Sequence, residues 1–236
     1  MAATLSKTQI DRLGDRLRQG LPSEADLRLL DDYRLSFGEA YDTVVRTIRD
    51  QLKLEPTGRP AKSTSSIVDK LNRETIRLNQ VQDIAGCRIV VADVTEQEQV
   101  VKSLKDSLPR VSIVDRRVNP SYGYRAVHVI AEISGKLVEI QVRTPLQHLW
   151  AELSEKFSDV VDPAIKYGSG PDEIRRLLST ASRVVGNFED TEREFARLPP
   201  QRQQELKEDL VFLKKHITDS LNGSILWAEN QKEQKK

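Results

Sequence analysis

Apolar residues recur along this chain at a few characteristic spacings. Ile10, Leu13 and Leu17 stand three and four apart and predict a short helix over residues 8–18, ended near Gly20 and Pro22. Ser23 followed three residues later by Asp26 resembles an N-terminal capping arrangement. From there Leu27, Leu30, Phe37, Tyr41, Val44, Ile48 and Leu52 recur mostly at helical steps and predict one long amphipathic helix whose apolar face packs on a sheet. The run Glu55-Pro56-Thr57-Gly58-Arg59-Pro60 breaks it. A further helix follows with Ser65 or Ser66 as its cap. The β-branched run Ile89-Val90-Val91 then reads as a short buried strand. Thr95 to Glu98 opens a helix to Leu108, with Glu98 as the reaching partner of a capping box, and Val111 to Val114 is another strand.

The pattern is most informative between Asn119 and Ser158. Two strands, Tyr124 to Ile133 and Lys136 to Val142, flank a tight turn at Ser134-Gly135. In the first, Tyr124 and His128 share a face. Alternation in the second puts Glu139, Gln141 and Arg143 on one face and Val138, Ile140 and Val142 on the other. Thr144-Pro145-Leu146-Gln147 is a capping box with proline at the first helical position, and the helix it starts turns Trp150, Leu153 and Phe157 to one side. Beyond Asp162-Pro163 no strand pattern recurs. Residues 171–197 and 201–227 read as two helices separated by Leu198-Pro199-Pro200, and the charged tail 231–236 reads as a frayed end. Helices around one central mixed sheet make the fold class α+β. The organisation expected is N-terminal helices over residues 1–54, a core over 55–162 and C-terminal helices over 163–236, all in one compact domain.

Composition narrows the function. The 236 residues are 38% hydrophobic and 31% charged, and 37 Lys plus Arg against 36 Asp plus Glu leave a net charge of +1. No bulk electrostatic pull toward nucleic acid or membrane follows, so any basic patch is local. No apolar run approaches the roughly 20 residues of a membrane span, and the N-terminus lacks the apolar stretch of a secretory signal, so a cytoplasmic location is expected. Cys87 stands alone, which excludes an internal disulfide framework or a cysteine-built zinc site, and three histidines make a multi-histidine metal site improbable.

Two carboxylates among several cations suit metal-assisted phosphoryl transfer, because Mg²⁺ takes oxygen ligands and commonly only one or two carboxylates plus substrate phosphates. Asp83 and Glu139 are the candidate ligands. Arg59, Lys62, Lys70, Arg88, Arg125 and Arg143 are the candidate phosphate clamps. Spacing alone leaves open that a strand acid serves a surface ion pair.

The motifs carry a more specific resemblance. Gly58-Arg59-Pro60, Lys62, Ser66-Ile67 and Lys70, then Asp83-Ile84-Ala85-Gly86-Cys87-Arg88, then Gly123-Tyr124-Arg125-Ala126-Val127-His128, then Glu139-Ile140-Gln141-Val142-Arg143-Thr144 resemble, in order, the synthetase domain of the RelA/SpoT family. The resemblance runs from about Tyr33 to Asp159. It implies a nucleotidyltransferase-like fold and transfer of pyrophosphate from ATP to the 3′-hydroxyl of GDP or GTP. By the same resemblance Arg59 and Arg88 sandwich the adenine, and Lys62, Ser66 and Lys70 hold the ATP phosphates. Asp83 and Glu139 bind Mg²⁺, with Glu139 assisting deprotonation of the acceptor hydroxyl. Tyr124 stacks on the acceptor base, while Arg125, His128, Gln141, Arg143 and His148 line the rest of the acceptor. One departure from the family pattern is that Arg59 and Lys62 stand three apart where the pattern has two. The length implies a stand-alone synthetase without hydrolase or regulatory domains.

Two alternatives stay open at this point. Some stand-alone relatives are toxins that modify the 3′-CCA end of tRNA or make adenine alarmones, which would bring tRNA and an antitoxin protein in as partners. A pseudo-synthetase that only binds nucleotide is the other. The stripe Leu206, Leu210, Leu213, Ile217 and Leu221 is expected to pack on the same chain, with self-association as the other outcome.

Overall fold

The computed structural model describes residues 5–20 and 22–233. Two compact units divide them. The first gathers the chain up to Ile89 with Ser103–Ile113 and Val129–Gln141, and the second gathers Val90–Lys102, Val114–His128 and the chain from Val142 on.

In the first unit α1 (Lys7–Arg18) starts at a reciprocal capping box between Ser6 and Gln9, and α2 (Glu24–Leu35) at one between Ser23 and Asp26. The single long helix expected over Leu27 to Leu52 is instead two. α2 stops at Ser36, whose hydroxyl donates to the Tyr33 carbonyl, and α3 (Gly38–Thr47) restarts after Phe37, ending in a π-helical turn at Ile48–Leu52. Phe37 is buried edge-on against Tyr33, 5.2 Å between centroids, so aromatic packing at the corner overrides the helical spacing. α4 (Thr64–Arg73) is capped by Ser63, not by Ser65 or Ser66: the Ser63 hydroxyl accepts from the Ser66 amide. The core here joins Leu13, Leu17, Leu30, Ile67, Leu71 and Ile84.

A five-stranded sheet runs in the order β1-β2-β5-β4-β3, formed by β1 (Thr57–Arg59), β2 (Ala85–Val90), β3 (Val111–Asp115), β4 (Val127–Ile133) and β5 (Lys136–Arg143). β2 begins four residues earlier than the apolar run Ile89-Val90-Val91 indicates, because Gly86, Cys87 and Arg88 pair antiparallel with β1. β4 begins at Val127, and Tyr124 stands before it in an isolated bridge with Ser121. Ser134 and Gly135 both take positive φ, as a two-residue hairpin turn requires. In β5 Val138, Ile140 and Val142 are fully buried and Glu139 and Gln141 half-buried, which is the alternation expected.

In the second unit α5 (Val94–Ser107) starts at Asp93, whose carboxylate accepts from the Glu96 amide. Glu98, expected in the capping box, instead meets Arg117 and Arg193. α6 (Pro145–Val160) has the capping box of Thr144 and Gln147 with proline at its start. It packs on α7 (Asp172–Arg197) and α8 (Pro200–Glu233) through Leu146, Trp150, Leu153, Phe157, Val185, Phe188, Ile217 and Leu221. Ile217 and Leu221 of the expected stripe are buried in this core, whereas Leu213 is exposed. α8 continues through residues 231–233, where a frayed end was expected, and the rest of that tail lies outside the described residues. Among those described, no helix is long and apolar enough to cross a membrane.

Candidate active site

Asp83 is the centre of one cluster. Lys62 Nζ donates to its Oδ2 at 2.5 Å and Lys70 Nζ to its Oδ1 at 3.0 Å, and all three side chains are largely buried. Burial pushes the Asp83 carboxyl up, but the charges of Lys62 and then Lys70, with their hydrogen bonds, outweigh it and hold the group below the usual carboxylate range. Lys62 is itself fixed at both ends of its peptide: its amide donates to the Ile84 carbonyl at 2.7 Å, and its carbonyl accepts from Arg34 Nε at 2.7 Å. The Arg59 backbone pairs with Gly86 on β1, and its side chain lies outside what the structure describes.

Lys70 comes from the last turn of α4, while the opposite end of that helix carries Ser63, Ser65 and Ser66. The Ser63 hydroxyl lies 3.2 Å from that of Ser65 and donates to that of Ser66 at 2.8 Å. A helix N-terminus lined by hydroxyls, with a lysine just before it, has the donors a phosphate needs. Arg88 is half-buried on β2. Cys87 beside it is buried, and burial together with the Glu139 charge pushes its thiol up to about 12, so it is a core residue and no nucleophile.

Glu139 lies on β5, where Gln141 Nε2 donates to its Oε2 at 2.8 Å. Asp83 and Glu139 are hard oxygen donors, and Asp83 already satisfies two positive charges, so this donor set suits Mg²⁺. Among the described residues no three acidic, histidine or cysteine side chains gather to hold a metal.

A second cluster forms around Tyr124. Its hydroxyl accepts from Arg143 Nη2 at 2.9 Å and is 3.1 Å from His128 Nε2, while the Arg143 guanidinium lies over its ring at 5.1 Å. Trp150 backs it at 6.4 Å between centroids. Gly123 makes this approach possible: it takes φ +91°, and a Cβ there would sit 2.7 Å from Trp150 Cζ2. His148 is on α6, 3.6 Å from Glu152. Arg125 turns away from Tyr124 toward α7, with its Nε 3.5 Å from Glu189 Oε2.

Glu189 is the residue that motif reading missed. It is 1% exposed, and its Oε1 accepts from Gln147 Nε2 at 2.6 Å and Thr144 Oγ1 at 3.1 Å; Gln97 joins through Gln147. A signal existed in the sequence. Leu178, Ser182, Val185 and Glu189 fall on one buried helical stripe, and a glutamate there needs partners.

Residues 58–158 match the family described as the region found in RelA / SpoT proteins. An uncharacterized protein of Mycobacterium tuberculosis is 33% identical over 204 residues, which cover 81% of this chain and 73% of that protein. The chain belongs to the RelA/SpoT family. Within the family its likeness is to synthetase-type pyrophosphotransferases. The crystal structure of small alarmone synthetase 1 from Bacillus subtilis bound to its product pppGpp matches with a TM-score of 0.52 at 25% identity, covering 74% of this chain and 97% of that one. A probable chloroplastic GTP diphosphokinase of Arabidopsis thaliana is 31% identical over 96 residues, 39% of this chain and 13% of that protein. The α+β architecture with its mixed five-stranded sheet is the RelA/SpoT synthetase fold that the motif order implies.

Proposed function

We propose that this chain moves the β,γ-pyrophosphate of ATP to the 3′-hydroxyl of a guanine nucleotide, GDP or GTP, making ppGpp or pppGpp. The observation that carries the reading is Asp83 held between Lys62, which immediately precedes the hydroxyl-lined start of α4, and Lys70 in the last turn of that helix. Such a cluster stores two cations against one carboxylate. Arriving phosphates draw the lysines toward themselves and release Asp83 for a metal.

In this reading Arg59 and Arg88 grip the adenine, and Lys62, Ser66 and Lys70 bind the phosphates. Asp83 and Glu139 would hold Mg²⁺, which would supply charge neutralisation on the phosphate oxygens. Tyr124 is the platform for the acceptor base, its hydroxyl pinned by Arg143 and His128; Gln141 and His148 serve the acceptor's sugar side. The acceptor 3′-oxygen attacks the β-phosphorus, the bond from that phosphorus to the α,β-bridging oxygen breaks, and AMP leaves. Glu139 takes the hydroxyl proton.

The test offers the purified chain γ-³²P-labelled ATP and Mg²⁺ with GDP, GTP, AMP and tRNA together. Label in a 3′-pyrophosphorylated guanine nucleotide is expected. Label in tRNA or AMP overturns the acceptor assignment, and label in none overturns the transfer.

A further inference from the structure

One helical face of α7 is unusually small and polar. Ser179, Ser182, Arg183, Gly186 and Asn187 follow at alternating steps of three and one, and together with Arg125 they line a pocket of about 340 Å³. Interior glycine is unfavourable in a helix, so Gly186 calls for a packing reason. That reason is Arg125: a Cβ on Gly186 would sit 2.9 Å from its Cζ and Nη1 and 3.0 Å from its Nη2. The guanidinium therefore lies flat across the glycine.

The donors here are not used up within the protein. Arg125 Nε faces Glu189 without making a hydrogen bond, and its terminal amines find no acceptor among the described residues. Ser182 is only 5% exposed. Helical Ser158, Thr191 and Thr218 each donate to the carbonyl four residues back, but the Ser182 hydroxyl has no such bond. Arg125 Nε is the buried orphan of this group and the other donors line the open pocket, so a ligand with several acceptor oxygens fits it. The charges agree in sign. Asp190, which also lines the pocket, is paired with Arg193 at 2.6 Å and Glu189 faces Arg125 at 3.5 Å, while Arg183 makes no ion pair among the described residues.

We propose that this pocket is a phosphate-binding subsite, with Arg125 and Arg183 as charged donors and Ser182 and Asn187 as neutral ones. A guanidinium pair matches phosphate oxygens in both charge and geometry. The phosphate belongs either to the acceptor nucleotide or to a separate phosphorylated ligand. The proposal concerns binding and stands without the transfer reaction.

Inorganic pyrophosphate is titrated by calorimetry into the full chain already saturated with a non-hydrolysable ATP analogue. The wild type takes up pyrophosphate, and Arg183→Ala weakens this at least about tenfold, with Arg183→Lys recovering part of it. Arg183 is exposed, so its variants keep the fold. Ser182→Ala weakens uptake to a smaller degree. If GDP blocks uptake and guanosine does not, the site holds the acceptor's own phosphates; uptake undiminished by GDP assigns it to a separate ligand. No uptake by the wild type, or the same affinity in Arg183→Ala, overturns the proposal. Uptake that depends on Arg183 in a chain that transfers no label leaves the subsite standing and removes only the transfer reading.

Discussion

Gly86 lies so close to Glu139 that a Cβ on the glycine would sit 2.7 Å from the Glu139 carbonyl oxygen and 3.5 Å from its Cβ. The backbone that carries Glu139 is thus seated on a position that tolerates no side chain. Gly86→Ala must push one strand away from the other, and overpacking of this kind costs about 1–3 kcal/mol, read as a lower urea midpoint. Because the shift falls on the Glu139 peptide, turnover should drop further than the folded fraction does. A Gly86→Ala protein that loses stability yet keeps full turnover per folded molecule would show that Glu139 acts without this seating.

What the sequence made legible was local. Thr144, Pro145 and Gln147 announce α6 because a capping box closes within four residues, and alternation places Glu139 on β5 because each side chain simply opposes the next. The corner at Phe37 was hidden, since its cause is an aromatic contact that helical spacing does not encode. Motif order picked out Lys62, Lys70 and Asp83, but not that both lysines close on one carboxylate across 21 and 13 residues. The Glu189 links to Thr144 and Gln147 span 45 and 42 residues, beyond any window of periodicity.

Asp83 predicts a change in the sign of pH dependence. In the wild type its carboxyl is depressed by Lys62 and Lys70, so its contribution to stability is present above the ordinary carboxylate value and is lost as pH falls through the depressed one. The double variant Lys62→Met, Lys70→Met leaves burial to act alone and raises the carboxyl. Stability should then decline as pH rises from about 4 toward 7, with a penalty of about 3 kcal/mol at neutral pH from the unpaired charge. Urea midpoints measured across that range decide it, and parallel curves for the two proteins would refute the assignment.

Tyr124 and Arg143 predict a separation of substrate effects. The Tyr124 hydroxyl fixes its ring through Arg143 and His128. Tyr124→Phe keeps the stacking face but frees the ring, and should raise the acceptor KM a few-fold with the ATP KM unchanged. Tyr124→Ala removes the platform, and a stacking contribution of about 1–3 kcal/mol corresponds to roughly 5- to 150-fold weaker acceptor binding. A rise in the ATP KM alone would move Tyr124 out of the acceptor role.

Glu189 predicts the opposite pH sense to Asp83. Burial raises its carboxyl, and the attraction of Arg125 with the hydrogen bonds from Gln147 and Thr144 only partly offsets this. A raised acid stabilises the fold below the ordinary carboxylate value, and that contribution is lost as pH rises through the raised one. Glu189→Gln keeps an oxygen for Thr144 and Gln147 to donate to, yet cannot ionise. The variant should therefore gain on the wild type as pH rises from about 4 to 8, the region in which a buried glutamate takes up its charge. Urea midpoints of the two proteins, taken at matched ionic strength, should diverge in that direction. A constant difference between them would mean that Arg125 holds Glu189 ionised throughout, and that the ion pair rather than burial governs this helix.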